Sequence, residues 1–157
     1  MNHYWIGAKN IRLAIMPRPR GGDWLPDDIG FLQRSGVEAI VSALTASEVA
    51  ELLLSEEENC CVQCGLKFFS FPIEDRSVPA APKEFREFID LLAVELGKGV
   101  AMAIHCRAGI GRSSLIAACL LIRHGLSADS ALQVIGEARG LSIPDTLEQR
   151  LWINQFT

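Results

Sequence analysis

The sequence predicts an α/β fold in which a central, mostly parallel β-sheet is flanked by α-helices. Four short runs rich in β-branched and other apolar residues alternate with segments of helical period. Such alternation favours parallel strands joined by helical crossovers. Three helical segments then follow one another at the end of the chain. Because 157 residues, 49% of them hydrophobic, suffice for one buried core, we expect a single domain over residues 1–157.

The individual elements follow from local signals. Glycine or proline bounds the middle two strands, and the region 45–65 predicts two short helices, the first capped by Thr45 or Ser47. The predicted strands are residues 11–16, 37–44, 66–73 and 99–105. The predicted helical segments are residues 23–36, 45–65, 81–99, 113–125, 127–140 and 144–156.

Composition and charge exclude several classes of partner. The formal net charge of −4 argues against nucleic acid or an anionic membrane bound through bulk electrostatics. The first ten residues lack the apolar segment of a signal peptide, and the longest uncharged apolar run, 113–122, has about half the length of a membrane span. The five cysteines are an odd number without the spacing of a disulfide framework. We therefore expect a reduced, cytoplasmic protein with no nucleic-acid or membrane partner, and we expect it to be a monomer.

The stretch "HCRAGIGRSS", residues 105–114, has the outline of a phosphate site. It joins a predicted strand to a helix that begins near Arg112, and amides that wrap into a helix N-terminus bind anions. Gly109 and Gly111 allow the backbone to turn with its amides facing one centre. No lysine follows the last glycine, so this is not a nucleotide-binding loop, and the planar guanidinium of Arg112 takes the lysine's place. The candidate phosphate-binding residues are Arg107, Ala108, Gly109, Ile110, Gly111 and Arg112.

A cysteine within this loop gives the phosphate site a chemistry. Inward amides, a guanidinium and a helix N-terminus all favour a thiolate, so we expect Cys106 to be the nucleophile that attacks a bound phosphorus atom. Ser113 can donate a hydrogen bond to the sulfur when the sulfur leaves again. Because a thiolate needs no base, His105 is expected to orient the cysteine through hydrogen bonds.

"HCRAGIGRS" resembles the His-Cys-x5-Arg-Ser/Thr signature of the cysteine-dependent protein-tyrosine and dual-specificity phosphatases. The similarity extends to "FPIEDRSVP" (71–79) and "RGLSIPDTLEQ" (139–149), and "RPRGGDWL" (18–25) looks like the small dual-specificity branch. The resemblance implies the cysteine-phosphatase fold and metal-independent hydrolysis of phosphomonoesters through a phosphocysteine, with no cofactor. It implies a phosphorylated protein or peptide as substrate, phosphotyrosine first, with phosphoserine and phosphothreonine as additional targets.

The resemblance also implies a general acid and a residue that positions water. Asp75 follows a predicted strand and precedes Pro79, as an aspartate does in the family, and would protonate the leaving oxygen. Its neighbour Glu74 is the alternative, because adjacent residues on an extended chain face opposite ways. Gln149 matches the family's glutamine that positions the hydrolytic water, although a plain solvated helix residue would give the same sequence.

Two further features have open interpretations. Arg18 and Arg20 precede a Gly-Gly pair, so they either line the entrance to the site or lie in a solvated loop. Cys61 and Cys64 form a Cys-x2-Cys pair with no second pair nearby, which favours partly buried helix cysteines over a metal site or a redox partner for Cys106.

Two other functions use parts of the same pattern. A sulfurtransferase also has a loop cysteine among inward amides, but it does not need Asp75 or Ser113. A catalytically silent phosphate-binding adaptor would be expected to lack Cys106, Arg112 or Asp75, and the chain has all three.

Overall fold

The computed structural model describes residues 1–157 and is built around one β-sheet. Its strands are β1 Tyr4–Trp5, β2 Leu13–Met16, β3 Ala39–Ser42, β4 Lys67–Ser70 and β5 Met102–His105. The five strands lie in the order β1-β2-β5-β3-β4, and every neighbouring pair is parallel except β1 and β2. The predicted α/β class with a mostly parallel sheet is therefore confirmed, and each of the four predicted strands is present within its predicted range.

Helices cover the two faces of the sheet. They are α1 Leu25–Arg34, α2 Ala46–Glu51, α3 Glu57–Gln63, α4 Pro82–Gly97, α5 Arg112–Arg123, α6 Ala128–Arg139 and α7 Leu147–Gln155, with a short 3₁₀ turn at Gly22–Trp24. The predicted pair of short helices in the region 45–65 is confirmed as α2 and α3, and Thr45 is the cap of α2. None of the helices is long and apolar enough to cross a membrane.

Strand β1 is the element that the sequence does not predict. It contains two residues, too few to show the alternation by which a strand is recognised. It pairs antiparallel with β2, with Tyr4 opposite Ile15 and Trp5 opposite Ala14. The strand therefore extends the sheet at one edge.

The two faces of the sheet pack against different sets of helices. The larger cluster includes Phe85 of α4 and the apolar residues of α5, and the smaller one includes Ile29 of α1 and Cys61 of α3. Helix α5 packs deepest, since ten of its twelve residues are buried. Both clusters contain residues of the central strands, which are fully buried as parallel strands covered on both faces are.

The register of the strands determines where the candidate site lies. Met16 of β2 and Ser42 of β3 both pair with His105 of β5, so the three strands end at the same level. The loops that follow them therefore emerge at one edge of the sheet, where ligands of open α/β sheets bind.

Candidate active site

The backbone of the loop between β5 and α5 is arranged to bind an anion. The N–H groups of residues 107–111 donate to no acceptor within the protein. The carbonyls of Arg107, Ala108 and Gly109, by contrast, accept hydrogen bonds from groups outside the loop. Because C=O and N–H point in opposite directions across a trans peptide, bonded carbonyls on the outside leave the amides available inside. Consecutive amides that face one centre in this way form a nest, a backbone arrangement that favours anions.

Gly109 and Gly111 serve the loop for different reasons. Gly109 has a φ of +72°, and a Cβ there would lie 2.5 Å from the carbonyl carbon of Met16. Gly111 has an ordinary φ of −91°, so its role is not the turn that we expect from the sequence. A Cβ at Gly111 would instead lie 2.6 Å from Oδ2 of Asp145 and 3.0 Å from Oε1 of Gln149. Glycine at that position allows α7 and its preceding segment to approach the loop.

Arg112, the first residue of α5, is held by a carboxylate from a distant helix. Its side chain is 1% exposed, and its Nη1 and Nη2 donate to Oε1 and Oε2 of Glu48 over 2.6 and 3.0 Å. Nη1 also donates to the carbonyl of Ile73 over 2.8 Å. A two-point ion pair of this kind fixes the plane of the guanidinium. Glu48 is absent from our sequence prediction, although its place in the capping box of α2, three residues after Thr45, is visible in the sequence.

The ion pair changes the titration of both partners. Burial works to raise the pKa of Glu48, but hydrogen bonds from Arg112 and from the backbone N–H of Thr45 outweigh it, and the pKa falls to about 2. Burial likewise works to lower the pKa of Arg112, but hydrogen bonds to Glu48 and the charges of Cys106, Glu48 and Asp75 raise it overall. Arg112 is therefore a permanent cation beside the loop.

Replacing Glu48 by glutamine is expected to lower the free energy of unfolding at pH 7 by about 3 kcal/mol. The folded-state pKa of about 2 lies below the ordinary 4.5, so the carboxylate stabilises the fold above about pH 4.5 and loses this effect as the pH falls toward 2. Urea unfolding between pH 7 and pH 3 measures the difference, which should shrink as the pH falls. Glu51→Gln, on the same helix and in an exposed ion pair, is the matched control and should leave stability nearly unchanged. A Glu48→Gln difference that does not vary with pH would contradict this electrostatic account.

The structure places Cys106 and Ser113 together at the two ends of the loop. Cys106 follows β5 directly and is 3% exposed, and its Sγ lies 3.4 Å from Oγ of Ser113. Ser113 is fully buried in the first turn of α5, so its hydroxyl is fixed beside the sulfur. The Ser113 hydroxyl is therefore within hydrogen-bond distance of the Cys106 sulfur.

His105 contacts the backbone of Cys106. The ring is fully buried, and its Nδ1 lies 3.2 Å from the carbonyl oxygen of Cys106. Its Nε2 lies 2.5 Å from Oε1 of Glu57, a buried carboxylate of α3 that the sequence does not reveal as a partner. The two ring nitrogens thus contact groups on different parts of the fold. The ring therefore joins α3 to the start of the loop.

Of the two neighbouring carboxylates after β4, the structure brings Asp75 to the site. Its Oδ1 lies 3.1 Å from Nη2 of Arg112, whereas Glu74 forms no ion pair. The side chain of Asp75 is 55% exposed, so a substrate can reach it from solvent. The contact therefore places Asp75, and not Glu74, beside Arg112.

Gln149 is buried rather than solvated. Its Nε2 donates to the carbonyl of Ser77 over 3.0 Å, and its Oε1 accepts from the N–H of Thr146 over 3.2 Å. The side chain therefore ties α7 to the segment that carries Asp75. It also lies against Gly111 of the loop.

The loop after β2 reaches the site, but one of its two arginines is held elsewhere. The N–H of Arg18 donates to the carbonyl of Arg107 over 3.2 Å, so the segment borders the loop between β5 and α5, residues 106–111, called the phosphate loop below. Arg20, however, donates through Nη2 to Oδ1 of Asp28 over 2.7 Å, and its guanidinium lies 4.5 Å from the ring centroid of Trp24. The Arg20 side chain is 55% exposed, but it does not meet only water, because Asp28 and Trp24 both contact it. Its charge is neutralised by a buried carboxylate.

The cysteines in α3 and at its C-terminal end pack against the protein interior. Cys60 and Cys61 are buried and Cys64 is half-buried, as expected for a helix that packs on the sheet. Burial, with added repulsion from nearby Glu57, raises the pKa of Cys61 to about 12, so its thiol stays neutral. The structure brings no three His, Cys, Asp or Glu side chains together in a way that could hold a metal ion.

A parallel sheet whose central strand leads through a cysteine, an amide nest and a buried arginine into a helix is the architecture of cysteine-dependent phosphatases. The chain belongs to the DSP-PTPase phosphatase family: the family model described as "Polymorphic toxin system, DSP-PTPase phosphatase" matches residues 14–126. The phosphate loop and its flanking elements lie within the matched region.

Relatives and solved structures are similar over most of the chain. Cyclin-dependent kinase inhibitor 3 of Rattus norvegicus is 28% identical over 131 residues, which are 82% of this chain and 61% of the relative. Protein tyrosine phosphatase domain-containing protein 1 of Mus musculus is 29% identical over 127 residues, 80% of this chain and 16% of that protein. The chain thus spans about three fifths of the length of the first relative and a smaller share of the second. A crystal structure of kinase associated phosphatase, with its catalytic cysteine substituted by serine, superposes with a TM-score of 0.88 at 23% identity over 99% of this chain and 93% of that one, which shows the same fold.

Proposed function

We propose that the protein hydrolyses phosphomonoesters through a phosphocysteine, without a metal ion, and that its substrates are phosphorylated proteins or peptides. The observation that carries the proposal is the set of backbone N–H groups at residues 107–111, which have no protein acceptor and lie beside Cys106 and the fixed guanidinium of Arg112. Donors of this kind stabilise the charge of a phosphoryl group and of a thiolate alike.

The first half of the reaction forms the phosphocysteine. The amides and Arg112 bind the phosphate oxygens, and Sγ of Cys106 attacks phosphorus as the bond to the leaving oxygen breaks. Asp75, exposed beside Arg112, donates its proton to that oxygen. His105 keeps the backbone of Cys106 in place through the contact with its carbonyl.

The second half of the reaction releases phosphate. Water attacks phosphorus, Asp75 accepts the proton that it gave up before, and the S–P bond breaks. Ser113, 3.4 Å from Sγ, donates a hydrogen bond to the departing thiolate. Gln149 is proposed to position the water, a role compatible with its place against Gly111.

The names of the relatives guide the substrate proposal. One is a tyrosine phosphatase domain-containing protein and one solved structure is a kinase associated phosphatase, so we propose phosphotyrosine as the first target and phosphoserine or phosphothreonine as further ones. We also propose that the protein acts as a monomer in the cytoplasm, where its five free cysteines stay reduced.

The purified protein is expected to hydrolyse an aryl phosphate in the presence of a metal chelator, because the proposed steps use only Cys106, Asp75, Arg112 and the loop amides. Phosphate release should be measured with and without the chelator, beside an assay of sulfur transfer from thiosulfate to cyanide. Peptides that carry phosphotyrosine or phosphoserine then rank the substrates. Sulfur transfer without phosphate release, or hydrolysis that the chelator abolishes, would contradict the proposed function.

A further inference from the structure

Arg139, the last residue of α6, binds the outer side of the phosphate loop. Its Nε donates to the carbonyl of Gly109 over 3.1 Å, and its Nη2 donates to the carbonyl of Ala108 over 3.3 Å. The guanidinium also lies over the ring of Tyr4, 4.4 Å from the centroid, in a cation–π contact. Tyr4 belongs to β1, so the strand that the sequence does not predict supports the side chain that holds the loop.

These two hydrogen bonds determine the direction of two loop amides. In a planar trans peptide the carbonyl of Ala108 is opposite to the N–H of Gly109, and the carbonyl of Gly109 is opposite to the N–H of Ile110. A donor fixed on the carbonyls therefore keeps both N–H groups pointing away from Arg139. A positive charge at the carbonyl oxygens also polarises the peptides and strengthens their N–H groups as donors.

The two peptides that Arg139 holds meet at Gly109. Gly109 has a φ of +72° and no side chain, so the peptides on either side of it can reorient more easily than others. The preceding carbonyl, that of Arg107, is already bound by the backbone N–H of Arg18. The side chain of Arg139 thus completes a row of three consecutive carbonyls that are bound from outside.

We propose that Arg139, stacked on Tyr4, is a positioning residue that orients the Gly109 and Ile110 amides and so raises the affinity of the loop for a phosphoryl group. The inference rests on the proposed function for its role in turnover, but the binding of inorganic phosphate tests it without turnover. Arg139 touches neither the substrate nor the sulfur in this scheme. Its effect passes through the backbone of the loop.

The test compares Arg139→Met and Arg139→Lys with a matched control. Arg150 on α7 also donates through Nη2 to a carbonyl, that of Ile143, over 3.1 Å, but this carbonyl lies outside the loop. Arg139→Met is expected to weaken phosphate binding by about tenfold to hundredfold, because two amides that donate to the charged phosphate lose their fixed direction. Arg139→Lys keeps the charge and should fall between wild type and Arg139→Met, and Arg150→Met should bind phosphate as wild type does.

Three readouts separate positioning from a purely structural role. The Kd of inorganic phosphate is measured by protection of Cys106 from iodoacetate well below the unfolding temperature, and the pH midpoint of the alkylation is measured without phosphate. In Arg139→Met the Kd should rise and the midpoint should move to higher pH, because weaker donors stabilise the thiolate less. A purely structural role would lower Tm and leave both unchanged.

The outcomes also separate this inference from the proposed function. A wild type that binds phosphate but releases none from an ester contradicts the proposed function, while a raised phosphate Kd in Arg139→Met still supports the positioning role. A Kd within twofold of wild type in Arg139→Met overturns the positioning role whatever the turnover. If Arg139→Met does not fold, the Kd of inorganic phosphate is measured for Arg139→Lys and Tyr4→Leu instead. Raised Kd values support the positioning role, and unchanged values overturn it.

Discussion

Cys106→Ser is expected to lower the turnover of an aryl phosphate by about 10⁴-fold or more while phosphate binding persists. A serine hydroxyl stays protonated at neutral pH and cannot replace the thiolate as nucleophile. The amides of residues 107–111 and the Arg112–Glu48 pair do not involve the sulfur, so the anion site survives the change. Steady-state hydrolysis and phosphate binding by calorimetry measure the two properties separately.

The matched control for this prediction is Cys64→Ser, a half-buried cysteine at the end of α3. It should keep wild-type kinetics, because nothing connects it to the loop. More than a trace of activity in purified Cys106→Ser would show that the sulfur is not the nucleophile, whatever the control does.

Asp75→Asn is expected to reduce kcat by about 10²–10⁴-fold, the usual contribution of general acid catalysis. An amide cannot protonate the leaving oxygen, so the loss should shrink for an ester whose leaving group is stable as an anion. The basic limb of the pH–rate profile, which reports loss of the acid's proton, should flatten. Because Asp75 also contacts Arg112, phosphate affinity is measured in parallel to separate binding from proton transfer.

Glu74→Gln is the matched control, since it changes the neighbouring carboxylate that makes no ion pair. Its kcat should stay within about twofold of wild type. If Glu74→Gln flattens the pH profile and Asp75→Asn does not, then Glu74 is the acid and the contact between Asp75 and Arg112 is structural.

The parts of the site that are local in sequence could be predicted from it. The loop from Cys106 to Ser113 lies within eight residues, and the roles proposed for Gly109, Arg112 and Ser113 depend on spacing along the chain. The segments before and after the loop have the patterns of a strand and a helix, so the position of the candidate site at the end of β5 could also be predicted from the sequence. The sequence did not reveal why residue 111 is a glycine, because the atoms that exclude a Cβ there belong to Asp145 and Gln149, which are distant along the chain.

The long-range polar partners could not be predicted. In the sequence, the capping box of α2 is reason enough for a glutamate at position 48. Nothing near Glu48 along the chain indicates that it pairs with Arg112, 64 positions away. Glu57 likewise looks like an acid in the first turn of a helix, where it suits the dipole, and not like a buried partner of His105. Such pairs depend on how helices pack on the sheet, which a single sequence does not specify.

Short or charged segments were ambiguous for a related reason. Arg20 stands in a basic stretch, and only the packing of α1 shows that the carboxylate of Asp28 neutralises it. Strand β1 is too short for a periodic signal, yet it carries the ring of Tyr4 that supports Arg139.

The most direct test of the proposed mechanism is to capture the covalent intermediate. The protein is mixed with excess aryl phosphate, quenched in acid within milliseconds and digested, and the peptide that contains Cys106 is examined by mass spectrometry. The account predicts one added phosphoryl group on Cys106 in the wild type and none in Cys106→Ser. Rapid release of phosphate with no phosphoryl group on Cys106 at any quench time, or with the group on another residue, would contradict it.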